Sequence, residues 1–364
     1  MINIAAPVID SEESRAVNEV IESGMLAQGP KVAELEKNWA EYCGVKHALA
    51  VNSGTAAIHC ALYAAGVKEG DEVITTPYSF IATINPILML GARPVLVDID
   101  EETFNIDVSK IEAAITEKTK AIVPVDLYGQ PCDWAELQEI AKKHNLKIVE
   151  DACQAVGAEY KGIKAGALGD FGCFSLYATK NIMCGEGGIV TTNSDEAAAA
   201  IRSFRQHGMV APYEYADLGY NYRMSDLHGA IAVEQLKKIE EFTKKRQENA
   251  RKLNDALAGV VGIKTPTISD NRNHVYHQYT ILLDKGMQRD QFIASLRDKG
   301  VGAGIYYPKP LHIYPHIAKL GYKVGDFPVA EDLAARVVSL PVHPKVTDED
   351  IEVIAAAVKE SING

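Results

Sequence analysis

No apolar run in this chain approaches the roughly 20 residues needed to span a bilayer, and there is no surplus of positive charge. Lys and Arg number 37 against 49 Asp and Glu, a net charge of -12. That balance argues against a nucleic-acid surface and against attachment to anionic lipid. Neither nucleic acid nor membrane is an expected partner, and an anionic ligand would need local positive groups or helix N-termini. A disulfide framework is missing too. The six cysteines, Cys43, Cys60, Cys132, Cys153, Cys173 and Cys184, are irregularly spaced and form no C-x-x-C pair. They read as buried thiols of a reducing compartment. The ten histidines show no metal-ligand spacing, so no metal is expected. Met1 to Asp10 has neither the basic region nor the apolar core of a signal peptide, so the expected location is cytoplasmic. No internal repeat or low-complexity tract occurs. What remains is an ordinary globular composition, 47% apolar and 24% charged over 364 residues. That length suffices for a large domain and a smaller one.

Between about residues 45 and 190, short β-branched runs alternate with amphipathic stretches. Strands are expected at His47 to Val51, Glu72 to Thr75, Arg93 to Val97, Ala121 to Val125, Lys147 to Glu150, Gly172 to Leu176 and Gly188 to Thr192. Helices are expected at Ala56 to Ala65, Ile81 to Leu90 and Trp134 to His144. Such alternation implies an α/β fold, a mainly parallel sheet with helices on both faces. Its ligands bind beyond the carboxyl ends of the strands. Two helices precede this core, one capped at Asp10 and Ser11 and stopping at Gly24, the other from Pro30 to Tyr42 and stopping at Gly44. A long Lys/Glu-rich helix from Ser225 to Leu257 bridges to a small C-terminal α+β domain. There, strands are expected at Val275 to Leu283 and Gly302 to Tyr307, and helices at Asp290 to Asp298, Val329 to Val337 and Asp348 to Glu360. The division is 1–261 and 262–364.

The chemistry concentrates at the strand ends. In Phe174-Ser175-Leu176-Tyr177-Ala178-Thr179-Lys180, a lone lysine follows an apolar strand, and its loop ends in Gly185-Glu186-Gly187-Gly188. A lysine among apolar and small neighbours can lose its proton near neutral pH and act as an amine nucleophile towards an aldehyde such as pyridoxal phosphate. By itself it reads equally as structural. Ser53-Gly54-Thr55 sits where a strand turns into a helix, and can cradle a phosphate or simply cap the helix. Asp151 closes another strand. It can pair with a protonated pyridine nitrogen, with Gln154 reaching the ring's phenolic oxygen, or it can be an acidic N-cap. An aromatic in Thr76 to Thr83 can stack on a flat ring or pack in the core. Lys161 and Lys164, in a Gly-rich polar turn, read as solvated. A phosphate cradle, a stacking aromatic, an acid and an amine at successive strand ends favour one cofactor site.

With these segments, the chain resembles the pyridoxal-phosphate sugar aminotransferases of the DegT/DnrJ/EryC1/StrS family, within the aspartate-aminotransferase-like fold type I. The resemblance covers nearly the whole chain. It also takes in Gly24 to Gly29 (Gly-Met-Leu-Ala-Gln-Gly), Gly219-Tyr220-Asn221-Tyr222-Arg223-Met224 and Tyr307-Pro308-Lys309-Pro310-Leu311-His312. It implies that Lys180 is the Schiff-base lysine, Asp151 the partner of the pyridine nitrogen and Gln154 the contact to the phenolic oxygen. Phe80 is the implied ring-stacking aromatic, with Tyr78 as the fallback. Ser53, Gly54, Thr55 and Ser175 are implied phosphate ligands. Asn221 is implied to reach the phosphate of a neighbouring subunit, which makes the expected unit a homodimer with shared active sites. Tyr307 and His312 match a region lining the sugar-nucleotide site.

The expected function is therefore transfer of an amino group from an amino acid, with L-glutamate the expected donor, to a keto group of a nucleotide-linked sugar by ping-pong chemistry. Relatives that act as sugar 3-dehydratases carry histidine at the lysine position, and Lys180 stands against that alternative. An amino-acid aminotransferase of the same fold would need an arginine for the α-carboxylate, and only Arg297 and Arg336 offer themselves in the C-terminal part. The remaining alternative is a non-catalytic regulator that keeps the cofactor site.

Overall fold

A computed structural model describes residues 1–363 of the protein. Its centre is a sheet of seven strands: β1 (His47–Val51), β2 (Glu72–Thr75), β3 (Arg93–Leu96), β4 (Thr119–Val123), β5 (Lys147–Asp151), β6 (Phe171–Ser175) and β7 (Gly188–Thr192). The order across the sheet is β1-β7-β6-β5-β4-β2-β3. Only β7 runs against the others, pairing antiparallel with both β1 and β6. The strands are buried along nearly their whole length, as a sheet covered on both faces requires. Alternate residues of β1 serve opposite faces. Leu49 and Val51 pack with the helices Gly54–Ala64 and Asp195–Phe204. Ala48 and Ala50 pack with Trp39, Leu35 and Leu236 from the helices Pro30–Cys43 and Asp226–Lys237. Trp134 and Leu137 of the helix Trp134–His144 cover Ile74, Ile122 and Ile148 further along.

The expected first helix is Ser11–Ser23. Asp10 accepts from Glu12 N, Glu13 completes a capping box, and Gly24 ends the helix at φ 72°. The helix expected over 81–90 is instead a short turn, Ile81–Thr83, followed by Asn85–Met89. Pro86 has no N–H to continue a ladder and sits in the first turn of the second piece. The long bridging helix is two, Asp226–Lys237 and Ile239–Leu257, meeting at Lys238.

The C-terminal part holds a three-stranded antiparallel sheet, Ile263–Lys264, Tyr279–Leu283 and Val337–Leu340. It is backed by the helices Arg289–Asp298 and Asp348–Asn363. Its apolar cluster takes in Ala250, Leu253 and Leu257 of the preceding helix, with Ile2 against it. Two expectations need correction. The strand expected at 275–283 starts only at Tyr279, because Arg272 and Asn273 pair instead with Tyr160 and Glu159 of the large part. No strand forms at 302–307. That segment touches its neighbours through single bridges, Val301 with Ile2 and Gly304 with Ser339, before the chain leaves for the cavity. Among the described residues no helix is long and apolar enough to cross a membrane.

Candidate active site

The turn after β1 is built around contact. Ser53 caps the helix Gly54–Ala64, its Oγ accepting from Ala56 N at 3.1 Å. The first amides of that helix have no intrahelical acceptor and present partial positive charge. A side chain at Gly54 would put Cβ 2.8 Å from Ser175 Cβ and 3.0 Å from Cys153 Sγ, so the turn lies flush on the ends of β5 and β6. Gly188, at the start of β7, is equally constrained: its Cβ would fall 2.3 Å from Ser53 O and 2.9 Å from Gly54 N. Gly188, the last residue of the Gly-Gly tail, thus lets β7 approach the turn.

Asp151 ends β5 and is 4% exposed. Thr83 Oγ1 donates to its Oδ2 at 2.7 Å and Cys153 N to its Oδ1 at 3.2 Å. Thr83 is in turn 2.8 Å from Ser79 Oγ. Gln154 Oε1 accepts from Tyr128 N at 2.9 Å, which leaves Nε2 to donate to Tyr307 Oη at 3.0 Å. Phe80 is 55% exposed, with its ring centroid 6.0 Å from that of Tyr307. Tyr78 is excluded as the stacking aromatic. It is fully buried, and its hydroxyl receives Tyr307 N at 2.8 Å and donates to the Tyr306 carbonyl at 3.1 Å.

The Lys180 loop joins β6 to β7 and is closed by its own backbone. Leu176 N donates to Gly187 O at 2.9 Å, Ala178 N to Gly185 O at 3.1 Å and Lys180 N to Tyr177 O at 2.9 Å. Lys180 is half-buried. Desolvation lowers its pKa from the ordinary lysine value, against the opposing effect of the nearby Cys153 and Asp151. Its amine is thus easier to deprotonate than a surface lysine's.

A cavity of about 490 Å³ collects these groups. Ser53, Gly54, Thr55, Phe80, Asp151, Gln154, Ser175, Lys180 and Tyr307 all line it. The volume suits a cofactor together with part of a substrate. Two expected residues lie elsewhere. His312 does not reach the cavity: it is fully buried, with Nε2 2.9 Å from Glu331 Oε1 and its ring edge-on to Phe327. The turn Leu311–Ile313 points it inward, and Tyr306 lines the cavity beside Tyr307. Asn221 is exposed and outside the cavity lining, in a loop held to the Ser53–Thr55 turn by Asn52 N donating to Tyr222 O at 2.8 Å. Lys164 is not simply solvated. It pairs with Glu159 and Glu240 and lies over the Tyr42 ring. Sequence reasoning missed His277, Gln278, Cys153 and Thr83, which also line the cavity. His277 and Gln278 were hidden in a segment that reads as strand.

The arrangement can hold an anion at a helix end, cover a flat ring, place a carboxylate at the ring's far side and offer an amine. The sequence model of the DegT/DnrJ/EryC1/StrS aminotransferase family matches residues 7–359. The GDP-perosamine synthase of Caulobacter vibrioides is 40% identical over 365 residues, 99% of this chain and 98% of that protein. A pleiotropic regulatory protein of Geobacillus stearothermophilus is 43% identical over 352 residues, 96% of this chain and 94% of that one. Among solved structures, S. venezuelae DesV in complex with a ketimine intermediate superposes with a TM-score of 0.93 at 35% identity, covering 96% of this chain and 94% of that one.

Proposed function

The chain belongs to the DegT/DnrJ/EryC1/StrS aminotransferase family, and from that premise we propose that it moves an amino group from L-glutamate to a keto group of a nucleotide-linked sugar. Its fold is that of the type I pyridoxal-phosphate transferases, and it is a transaminase. The observation that carries the finer reading is the convergence of Lys180, Asp151, Gln154, Phe80 and the Ser53–Thr55 turn on one cavity.

These residues fit pyridoxal phosphate. The amides at Gly54 and Thr55, with Ser175 Oγ, suit the phosphate. The buried Asp151 carboxylate suits a protonated ring nitrogen, and the Gln154 Nε2 donor suits the phenolic oxygen. The half-exposed Phe80 suits one face of the ring. When bound, the cofactor supplies an aldehyde that joins to amines and a ring that accepts the electron pair left when a donor's α-carbon loses its proton. Asp151 would keep the ring nitrogen cationic, and Thr83 holds Asp151 in place. Lys180 Nζ, as a free amine in the cavity, would take the donor's α-proton and return it one carbon away. The donor leaves as 2-oxoglutarate before the sugar enters, so one site serves both halves of a ping-pong sequence.

Neither Arg297 nor Arg336 serves an amino-acid acceptor. Arg297 is exposed, Arg336 is tied to Leu283 O and Asp332, and neither lines the cavity. Asn221 reaches the phosphate of the partner's site, and the working unit is a symmetric homodimer. The chain divides functionally at 1–261 and 262–364, and its location is cytoplasmic.

The test is turnover in reverse: purified protein, 2-oxoglutarate and a panel of nucleotide-linked amino sugars, with glutamate as the measured product. Glutamate formation from at least one sugar is expected. Turnover of free amino acids alone would replace the sugar by an amino-acid acceptor. The relative named as a regulatory protein supports a second reading, a cofactor-binding regulator, and that reading would stand if no amine moved from any donor.

A further inference from the structure

One hydroxyl proton in the cavity wall has no acceptor among the described residues. Gln154 Oε1 accepts from Tyr128 N at 2.9 Å, and a backbone amide can only donate, so the side-chain amide is fixed with Nε2 towards Tyr307. Nε2 donates to Tyr307 Oη at 3.0 Å. Oη is thus the acceptor of that bond, and its own proton is left for the cavity that Tyr307 lines. Nε2 carries two protons, so one remains for the phenolic oxygen named above. Tyr307 is also held by its backbone. Its N donates to Tyr78 Oη at 2.8 Å, and the carbonyl before it, Tyr306 O, accepts from Tyr78 Oη at 3.1 Å and from Tyr128 Oη. Tyr78, Tyr128 and Gln154 belong to the large part, so a residue of the small part is pinned at both backbone and hydroxyl. Burial first, then the charge of Asp151, push the Tyr307 phenol well above its ordinary pKa, so it stays a donor.

The same cavity has no arginine in its wall. Lys180 is the only lysine among the residues that line it, and Asp151 and Glu186 are acids. An amino-acid donor brings a carboxylate on the very carbon that must lose its proton, and Lys180 is needed for that proton. We propose that Tyr307 is the specificity-determining hydrogen-bond donor for both substrates: its O–H binds the α-carboxylate of the amino-acid donor in the first half of the sequence, and a sugar oxygen beside the reacting carbon in the second. This rests on the aminotransferase reading and adds how one pocket accepts two unlike molecules. The sugar has no carboxylate at that place. A guanidinium there would be left desolvated and unpaired in the second half. A neutral phenol serves both, with a charge-assisted bond to the carboxylate and an ordinary one to the sugar. Gln154 strengthens it, because a hydroxyl that already accepts from an amide is polarised to donate.

Tyr307→Phe tests this, since it keeps the ring and the backbone bonds and removes only the hydroxyl. The probe for the first half is 2-methylglutamate, which has both carboxylates of glutamate but no α-proton to lose. It reports binding without turnover, read from the visible absorbance of the cofactor-loaded protein. Its dissociation constant should rise about 10–100-fold in Tyr307→Phe, as loss of a hydrogen bond to a charged group does. For the second half, KM for a nucleotide-linked amino sugar that the wild type consumes should rise about 3–10-fold, as for a neutral bond, with kcat little changed. Cofactor affinity, from a fluorescence titration of the cofactor-free protein, should stay near wild type. An unchanged constant for 2-methylglutamate means that a cation from outside this chain holds the carboxylate. A loss confined to cofactor affinity means that the proton serves the cofactor, and a loss with one substrate alone removes the shared role. Each of these overturns the proposal. If the wild-type protein binds 2-methylglutamate but aminates no sugar, the functional reading fails, while the dissociation constants still decide the carboxylate contact. If it does not bind 2-methylglutamate at all, both fail.

Discussion

At the scale of single residues, burial decides what each carboxylate does. Asp151→Asn keeps the shape and the acceptor for Cys153 N, obliges the Thr83 hydroxyl to turn and accept from the new amide, and removes the charge proposed to face the ring nitrogen. The variant should bind cofactor and lose about 3 kcal/mol of transition-state stabilisation, as removal of a preorganised electrostatic group does; single-turnover rates with glutamate measure it, and near-normal rates would exclude Asp151 from the chemistry. Glu150, next to Asp151 in the same strand, and Asp126, just past the neighbouring strand β4, are both fully buried. Asp126 Oδ1 accepts from Cys132 N and Trp134 Nε1, while its Oδ2 has no donor. Burial raises both acids, Asp126 to about 6 and Glu150 well above its ordinary value, the Asp126 charge adding to the second shift. The folded state therefore binds more protons than the unfolded one. Stability from the pair is present at about pH 4 and falls as pH rises through 6, by up to about 3 kcal/mol for Asp126. Asp126→Asn, whose amide can donate to Glu150, should be more stable than wild type at pH 8 and less so at pH 5, read from urea midpoints. An advantage equal at both pH values would mean that no proton is shared. Lys180, Asp151 and Gln154 were legible because each is a reactive group at the end of a readable strand. His277 was not, because a fold contact with Asn181 brings it to the site and no local pattern marks it. His312 misled because a neighbouring motif does not reveal which way a side chain points.

At the scale of elements, the hairpin β6–β7 positions both the amine and the phosphate turn. Gly188→Ala would drive Cβ into Ser53 O and Gly54 N. Overpacking of this kind costs about 1–3 kcal/mol, and here the yielding part is the turn proposed to receive phosphate. The expected result is weaker cofactor binding in a fluorescence titration of the cofactor-free protein, with a melting temperature close to wild type. Unchanged affinity would mean that the turn relaxes freely. The strands of the large sheet were readable because both faces are covered and the runs are continuously apolar. The segments that failed share a physical cause: Pro86 interrupts a helical pattern, and 302–307 carries β-branched and aromatic residues that serve cavity walls instead of a ladder.

At the scale of the whole molecule, Asn221 tests whether the site belongs to one chain or two. It is exposed here, on a loop tied to the phosphate turn. Lys180→Ala and Asn221→Asp chains are each expected to be inactive. If Asn221 acts in the partner's site, a mixed dimer has one site with both defects and one with neither, and random mixing restores about a quarter of wild-type activity. No recovery in a subunit-exchange assay would leave Asn221 a local loop residue. Phe80 has a consequence at this scale as well. More than half of a large apolar ring faces water at the cavity mouth, so the protein by itself is a folded body with a gap in its hydrophobic surface. The proposed cofactor would then act as a late-arriving core side chain, adding stability as its concentration rises. At a hundredfold excess over its dissociation constant the gain is about 2.7 kcal/mol, and melting temperature should climb with pyridoxal phosphate concentration, less steeply in Phe80→Ala. In a cell short of the vitamin, this chain would then lose folded stability together with its reactive aldehyde.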